Sequence, residues 1–444
     1  MKRICEKFQN SILFFIRSWI YLGGFLIFFG LLGIENRQVR VLSRTSIMMA
    51  AFYIFLMLTL TFVYGGANSR FRLDKAIFQT LSLSLLITDT VAYGVFLVMS
   101  VNDANNREFR FVSFPYFILS IALQMIWTFL LVKLSGAFWN YVTPPERTLL
   151  VMSELDDSEK VRKAINSFGG RYKIWRETSF DASDIHEMIR DSDAVFFYEV
   201  PAGAREELIN YCYKHLINIY LNPDLADVVR MTSRQMMFSD LPFLSKEFGI
   251  MTFEQRIVKR SSDILLSCLA LIVLSPVLIV SALAIKLDDR GPVFFKQRRA
   301  TIHGRVFEIY KFRTMRVNVE NHSAEKGDTR ITKAGKILRK YRIDELPQLI
   351  NIIKGDMSIV GPRPEMLENV TEYEKKLPEF KYRLRMKAGL TGLAQVLGRY
   401  NTSSRDKLIL DLMYIENFSL SMDLKIIFQT LLVLMNAEDS TEGF

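Results

Sequence analysis

ILLSCLALIVLSPVLIVSALAIKL, residues 264–287, is an apolar block broken near its middle by Ser275-Pro276. Its length permits a span, since about 20 apolar residues cross ~30 Å of hydrocarbon. Two features point instead to a helix that enters one leaflet and returns. Lys259-Arg260 precede the block, and Lys286, Arg290, Lys296, Arg298 and Arg299 close it or follow it. Both ends therefore favour the same anionic face. Pro276 removes a backbone donor and kinks the helix, and Ser275 can satisfy a carbonyl freed at the break. The competing reading is a fifth, kinked span. On these residues the two readings are close, and the polar sequence on both sides tips the balance to re-entry.

Upstream, four more apolar segments run roughly over 11–32, 46–64, 81–100 and 115–139, each near the length of a span. Arg17 and Asp89 fall within them. A charge in a span is a functional candidate, but the simpler expectation is that Arg17 snorkels to the interface and Asp89 pairs within the bundle. Arg37, Arg40 and Arg44 in the first loop balance Arg70, Arg72 and Lys75 in the second, so loop charge does not set the orientation. An even number of spans leaves both ends on one side. No secretory cleavage pattern follows the first apolar stretch.

The chain has 444 residues and a formal net charge of +10. That length suggests two to three domains. In a membrane protein the positive balance implies anionic headgroups and anionic substrates. No recognised nucleic-acid motif is present, so nucleic acid is not expected as a partner. Cys5, Cys212 and Cys268 lack any paired spacing for zinc or disulfides and read as isolated thiols.

Between the apolar regions, 148–152, 172–176, 194–200 and 218–221 read as strands. Helical patterns at 158–168, 185–189 and 204–214 alternate with them. This pattern predicts a small, parallel, Rossmann-like α/β domain over 147–245. A dinucleotide site would need a glycine-rich turn after the first strand. Ser153-Glu154-Leu155-Asp156-Asp157 stands there instead, so a structural or regulatory role is the better reading. The overall fold class expected is α/β plus membrane helices. A four-span domain (1–142) and the α/β domain precede the re-entrant helix, which joins a mixed α/β domain (256–435). A disordered tail (436–444) follows.

Downstream of the block lies Arg339-Lys340-Tyr341-Arg342-Ile343-Asp344-Glu345-Leu346-Pro347. Neighbouring carboxylates set among cations can stay ionised, bind a divalent metal and face a phosphorylated substrate. One can attack phosphorus while the other handles metal or proton. Pro347 suits the first turn of a helix. Asp344 would then lie near a helix N-terminus, whose dipole lowers an acid's pKa. Lys311, Arg313 and Arg316 alternate with apolar residues, as on a strand with one charged face. Lys354 adds a cation after the pair, and Gly361-Pro362-Arg363-Pro364 reads as a rigid turn presenting one guanidinium. Short strands at 293–295 and 306–310 are expected, with helices at 333–340, 346–353, 367–376 and 425–434.

These motifs, with Lys354-Gly355-Asp356-Met357-Ser358 and Gly389-Leu390-Thr391-Gly392-Leu393, resemble the bacterial sugar transferase family, the monotopic phosphoglycosyl transferases. The resemblance covers 259–434. The added spans and α/β domain resemble long-form members that begin exopolysaccharide, capsule or O-antigen units. The resemblance implies transfer of a sugar 1-phosphate from a UDP-sugar to undecaprenyl phosphate, with release of UMP. It implies Mg2+ and a covalent phosphosugar on Asp344, with Glu345 as partner near the metal. Lys311, Arg313, Arg339 and Arg363 would bind phosphate, and Ser275-Pro276 would form the re-entrant break. Thr391, Gly392, Gln395 and Arg399 would shape nucleotide or sugar recognition. The setting would be the bacterial inner membrane, with the site on the cytoplasmic face. Membrane lipids, a homodimer and downstream glycosyltransferases would be partners. Two departures, Ala388 in place of a proline and Ala394 in place of a tryptophan, leave the sugar undefined. The rival reading is a non-enzymatic scaffold that binds acidic lipids, but Asp344-Glu345 would weaken such a surface.

Overall fold

A computed structural model describes residues 8–41, 43–63, 74–100, 111–154, 158–248, 251–316, 328–398 and 403–435. The chain divides into two compact units, Met1–Asn222 and Pro223–Phe444. The expected tail and the acidic turn at Leu155, Asp156 and Asp157 lie outside the described residues.

Four helices of the first unit are long and apolar enough to cross a membrane: Ser11–Glu35, Arg44–Val63, Asp74–Met99 and Phe114–Val142. Polar flanks extend some of them beyond the apolar segments. Asp74, for example, sits in a first turn, where the helix dipole favours an anion. Asp89 is fully buried and paired, as expected. Its Oδ1 accepts from the Tyr53 hydroxyl at 2.8 Å and from Gln124 Nε2 at 3.3 Å. The Gln124 amide also donates to the Gly24 carbonyl at 3.0 Å. One polar node thus touches all four helices, the usual way hydrogen bonds pair helices in an apolar solvent.

The same unit carries a parallel sheet in the order β2-β1-β3-β4. Its strands are β1 Glu146–Met152, β2 Tyr172–Ser179, β3 Ala194–Tyr198 and β4 Asn218–Leu221. β1 is central, and Leu149 to Met152 are wholly buried, as a strand covered on both faces must be. Helices Ser158–Asn166, Ile185–Arg190 and Ala202–Lys214 fall where the pattern placed them.

In the second unit, the Leu225–Met231 helix and a hairpin, β5 Arg234–Phe238 with β6 Leu241–Ser245, come first. The sequence reading groups these with the α/β domain. Thr252 and Gln255 then form a capping box that starts the Phe253–Val273 helix. A second helix, Ser275–Asp289, follows at a bend of 63°. Ser275 Oγ donates to the Ile272 carbonyl at 2.7 Å and so satisfies an acceptor at the break.

The cations before the block do not face lipid headgroups, which corrects the reading of Lys259-Arg260. Lys259 is buried, and its Nζ lies 2.6 Å from Asp423 Oδ2 and 3.1 Å from the Val360 carbonyl. Arg260 donates to the Ile352 and Ile353 carbonyls at 2.6 and 2.7 Å. It thereby caps the C-terminal end of the Gln348–Lys354 helix, where the dipole favours a cation. Asp263 Oδ1 accepts from the Ile359 amide at 3.0 Å. A buried carboxylate and open carbonyls need these cations more than a hydrated headgroup does.

β7 Phe294–Ala300 and β8 Val306–Phe312 form an antiparallel pair, longer than the expected strands. β9 Met357–Val360 and β10 Ala388–Thr391 pair in parallel. Helices Lys333–Lys340 and Leu367–Lys376 match the pattern, and the last helix begins earlier than expected, at Leu420. Helix Ser404–Glu416 is new. Its buried Leu408, Ile409, Leu412, Tyr414 and Ile415 leave no single apolar stripe to read.

Replacing Lys259 with Met strands Asp423 in the interior and should cost about 3–5 kcal/mol. Thermal melting of the purified protein checks this. The double change Lys259→Met/Asp423→Leu should recover much of the loss.

Candidate active site

The acid pair sits in a 3-10 turn, Ile343–Glu345, just before Pro347 and the Gln348–Lys354 helix. Arg342 enters that turn in the left-handed region, φ 53° and ψ 24°. For a residue with a side chain this costs about 1–3 kcal/mol and persists only where surroundings enforce it. The charges of Glu345 and Asp344 both act on the Arg342 guanidinium. Asn351, fully buried, bolts the following helix to β8. Its Nδ2 donates to the Glu308 carbonyl at 2.7 Å, and its Oδ1 accepts from the Tyr310 amide at 2.9 Å. Lys311 is thereby fixed opposite Glu345.

Glu345 Oε1 accepts from Lys311 Nζ at 2.9 Å and from Arg363 Nη2 at 2.9 Å. Burial alone would raise the pKa of Glu345. Arg363, Lys311 and Arg342 outweigh it and hold the carboxyl well below the usual range. Asp344 behaves oppositely. Burial, and then the charge on Glu345, push it up to about 6 against the pull of Lys311, Arg339 and Arg363. This corrects the expectation of a lowered pKa. The helix begins at Gln348, so Asp344 gains no terminal dipole, whereas it does gain an anionic neighbour. The two environments separate the carboxyls into one fixed anion and one basic, still ionisable group.

The other expected residues fall in different places. Arg339 Nε donates to Thr314 Oγ1 at 2.8 Å, and its charge reaches Asp344. Arg313 is buried against Gly291, where an added β-carbon would lie 2.0 Å from its Nη1. Lys354 turns away to the Tyr310 hydroxyl at 2.8 Å. Arg399 lies outside the described residues. Thr391, Gly392 and Gln395 stand behind the Pro-Arg-Pro turn. Thr391 Oγ1 lies 2.7 Å from Thr430 Oγ1, and Gln395 Nε2 donates to the Leu390 carbonyl.

Backbone, not side chain, is what this second motif supplies. The Gly361 amide donates to the Thr391 carbonyl and the Gly389 amide to the Pro362 carbonyl, each at 2.9 Å. A β-carbon at Gly389 would fall 2.1 Å from the Gly361 nitrogen, and one at Gly392 would fall 2.2 Å from the Gly361 oxygen. Arg299, read from sequence only as a headgroup cation, is buried and feels the charges of Arg363, Glu365 and Glu345. Its Nε has no hydrogen-bond partner among the described residues. With Lys311, Arg339, Arg342 and Arg363, it surrounds two carboxylates with more positive than negative charge, a setting for a polyanion.

Among the described residues no group of three or more His, Cys, Asp or Glu side chains could hold a metal. Two carboxylates nevertheless suit magnesium, which takes one or two from protein and completes its shell with phosphate and water.

Residues 254–437 match the family described as "Bacterial sugar transferase". An Aeromonas hydrophila UDP-N-acetylgalactosamine-undecaprenyl-phosphate N-acetylgalactosaminephosphotransferase is 43% identical over 40% of this chain and 44% of its own length. A Caulobacter vibrioides UDP-glucose:undecaprenyl-phosphate glucose-1-phosphate transferase is 40% identical over 41% of this chain and 71% of its own. A Klebsiella pneumoniae protein of the same name is 28% identical over 82% and 84%. The chain spans about half the length of several curated relatives that it matches, 44%, 55% and 57%.

Gly389→Ala should force the turn open. Overpacking of this kind costs roughly 1–3 kcal/mol, so the melting temperature should fall, whereas Gly203→Ala, inside the Ala202–Lys214 helix with nothing within 4 Å, should not lower it.

Proposed function

The chain belongs to the bacterial sugar transferase family, and from that premise we propose that it is a membrane phosphoglycosyl transferase. It moves a sugar 1-phosphate from a UDP-sugar to undecaprenyl phosphate and releases UMP. The relatives' names carry the donor and the acceptor. The observation that carries the chemistry is the division of labour within the acid pair. Glu345 is held as an anion by Lys311 and Arg363, and Asp344 beside it is more basic than an ordinary carboxylate.

In this reading an Asp344 oxygen attacks the phosphorus that bears the sugar. The bond to the UMP oxygen breaks, and UMP leaves with that electron pair. A phosphate oxygen of undecaprenyl phosphate then attacks the same phosphorus and frees Asp344. Arg363, Lys311, Arg339 and Arg299 neutralise the diphosphate oxygens during both displacements. Mg2+, held by Asp344, Glu345 and the diphosphate, would offset charge on the transferring and leaving phosphates.

The bent helix pair supports re-entry because both of its ends are tied to one domain. Lys259 and Asp263 fasten the first limb. Asp288 Oδ2 accepts from the Ala334 amide at 2.9 Å, and Ile285 packs with Phe312 and Leu338 to fasten the second. In this reading the lipid phosphate and the acids meet at one face, the cytoplasmic face of the inner membrane. The product would pass to glycosyltransferases that extend an exopolysaccharide, capsule or O-antigen unit.

UMP release from a panel of UDP-sugars, with undecaprenyl phosphate and Mg2+, tests the reading. Asp344→Asn should lose at least ~10⁴-fold of the activity and all covalent phosphosugar. Glu345→Gln should be crippled too. Release that is independent of Asp344 would overturn the mechanism, and none from any donor would favour the scaffold. The pH profile gives a second check. Ionised Asp344 is needed, so activity should fall as pH drops through about 6. An unperturbed aspartate would sustain it to about pH 4.

A further inference from the structure

Arg363 is held at two points. Its guanidinium meets Glu345, while its carbonyl accepts from Arg383 Nη2 at 2.8 Å. Arg383 comes from the 3-10 helix Pro378–Arg385, and its side chain is almost wholly buried, 4% exposed. Its Nε and Nη2 both donate to Asp411 Oδ2, at 2.9 and 2.6 Å. Asp411 is buried on the Ser404–Glu416 helix. One turn earlier, Lys407 Nζ lies 3.6 Å from Glu365 Oε1, and Arg383 Nη1 lies 4.0 Å from the same oxygen.

We infer that Arg383, locked by Asp411, is a positioning residue that sets the Pro362-Arg363-Pro364 turn so that Arg363 reaches Glu345. This rests on the transferase reading of the acid pair. Three hydrogen bonds hold the backbone of Gly361, Pro362 and Arg363, and two of them run between main-chain groups. The third, from Arg383, is the one at Arg363 itself. A buried ion pair adds little net stability over well-packed apolar residues, whereas a planar guanidinium with several fixed donors defines geometry. The arrangement also explains a buried aspartate on a helix that is otherwise apolar inside.

The consequence is geometric. Arg383→Lys keeps the charge but loses the fork. In the full-length protein it should lower kcat/KM for UMP release by about 10- to 100-fold. Asp411→Asn, which keeps the shape, should act in the same direction and serves if Arg383→Lys fails to fold. Because Arg383 acts through Arg363, adding Arg383→Lys to Arg363→Lys should cause little further loss, whereas a merely structural defect would multiply with it. If the wild type shows no Asp344-dependent turnover, the transferase reading fails. A full, multiplicative loss in the double variant, or unchanged turnover in both Arg383→Lys and Asp411→Asn, instead sinks the positioning role alone.

Discussion

A single carboxylate oxygen, Glu345 Oε1, receives a lysine from a strand and an arginine from a turn. Three separate segments must come together for that to happen, and much of the second unit serves this convergence. Asn351 holds the helix after the acid pair to β8. The close backbone approach of Gly361 and Gly389 holds the Pro-Arg-Pro turn to β10. Left-handed Arg342 leads the chain into the 3-10 turn that carries both carboxylates. Without the cations a buried Glu345 would protonate and lose its fixed negative charge.

The interior charges share a second role as fasteners. Lys259 with Asp423, and Arg383 with Asp411, each join elements far apart in sequence. In the first unit, Asp89 does so without a cation, through Tyr53 and Gln124. Each geometry demands particular partners, which apolar packing alone does not. Dispersion and burial make these units compact, and the polar nodes decide which surfaces meet.

The parts legible from sequence are those governed by local period and length. The four spans, the strands β1 to β4 and the break at Ser275-Pro276 follow from runs, alternation and a missing donor. The acid pair and Arg363 stand out because charges cluster around them. What escaped notice depends on distant partners. Lys259 looks like a headgroup ligand until Asp423, some 164 residues later, is placed beside it, and Arg260 does until the Ile352 and Ile353 carbonyls are. Asp344 looks like a helix-terminal acid until the 3-10 turn is seen. Arg299 looks like surface charge and Arg383 stands in no motif, because nothing local signals their burial. Thr391, Gly392 and Gln395 look like recognition residues, although the glycines there are explained by backbone contact.

The limb that begins at Asp263 also acts as a depth gauge. Eleven residues separate that anchor from the bend at Leu274, which at 1.5 Å each is about 16 Å. Half of the ~30 Å hydrocarbon layer is nearly the same length. On the re-entrant reading proposed above, the bend lies near the bilayer midplane when the anchor lies at the interface, and helix length sets the height of the acid pair above the lipid. Exposed side chains on this limb, such as Leu265, Leu269 and Ile272, can vary in apolar identity, whereas Ala270 and Leu271 pack against the cluster of Phe307 and Leu349. Residue count cannot vary so freely: one insertion lowers the bend by about 1.5 Å and turns the returning limb by about 100°, away from Phe312 and Leu338.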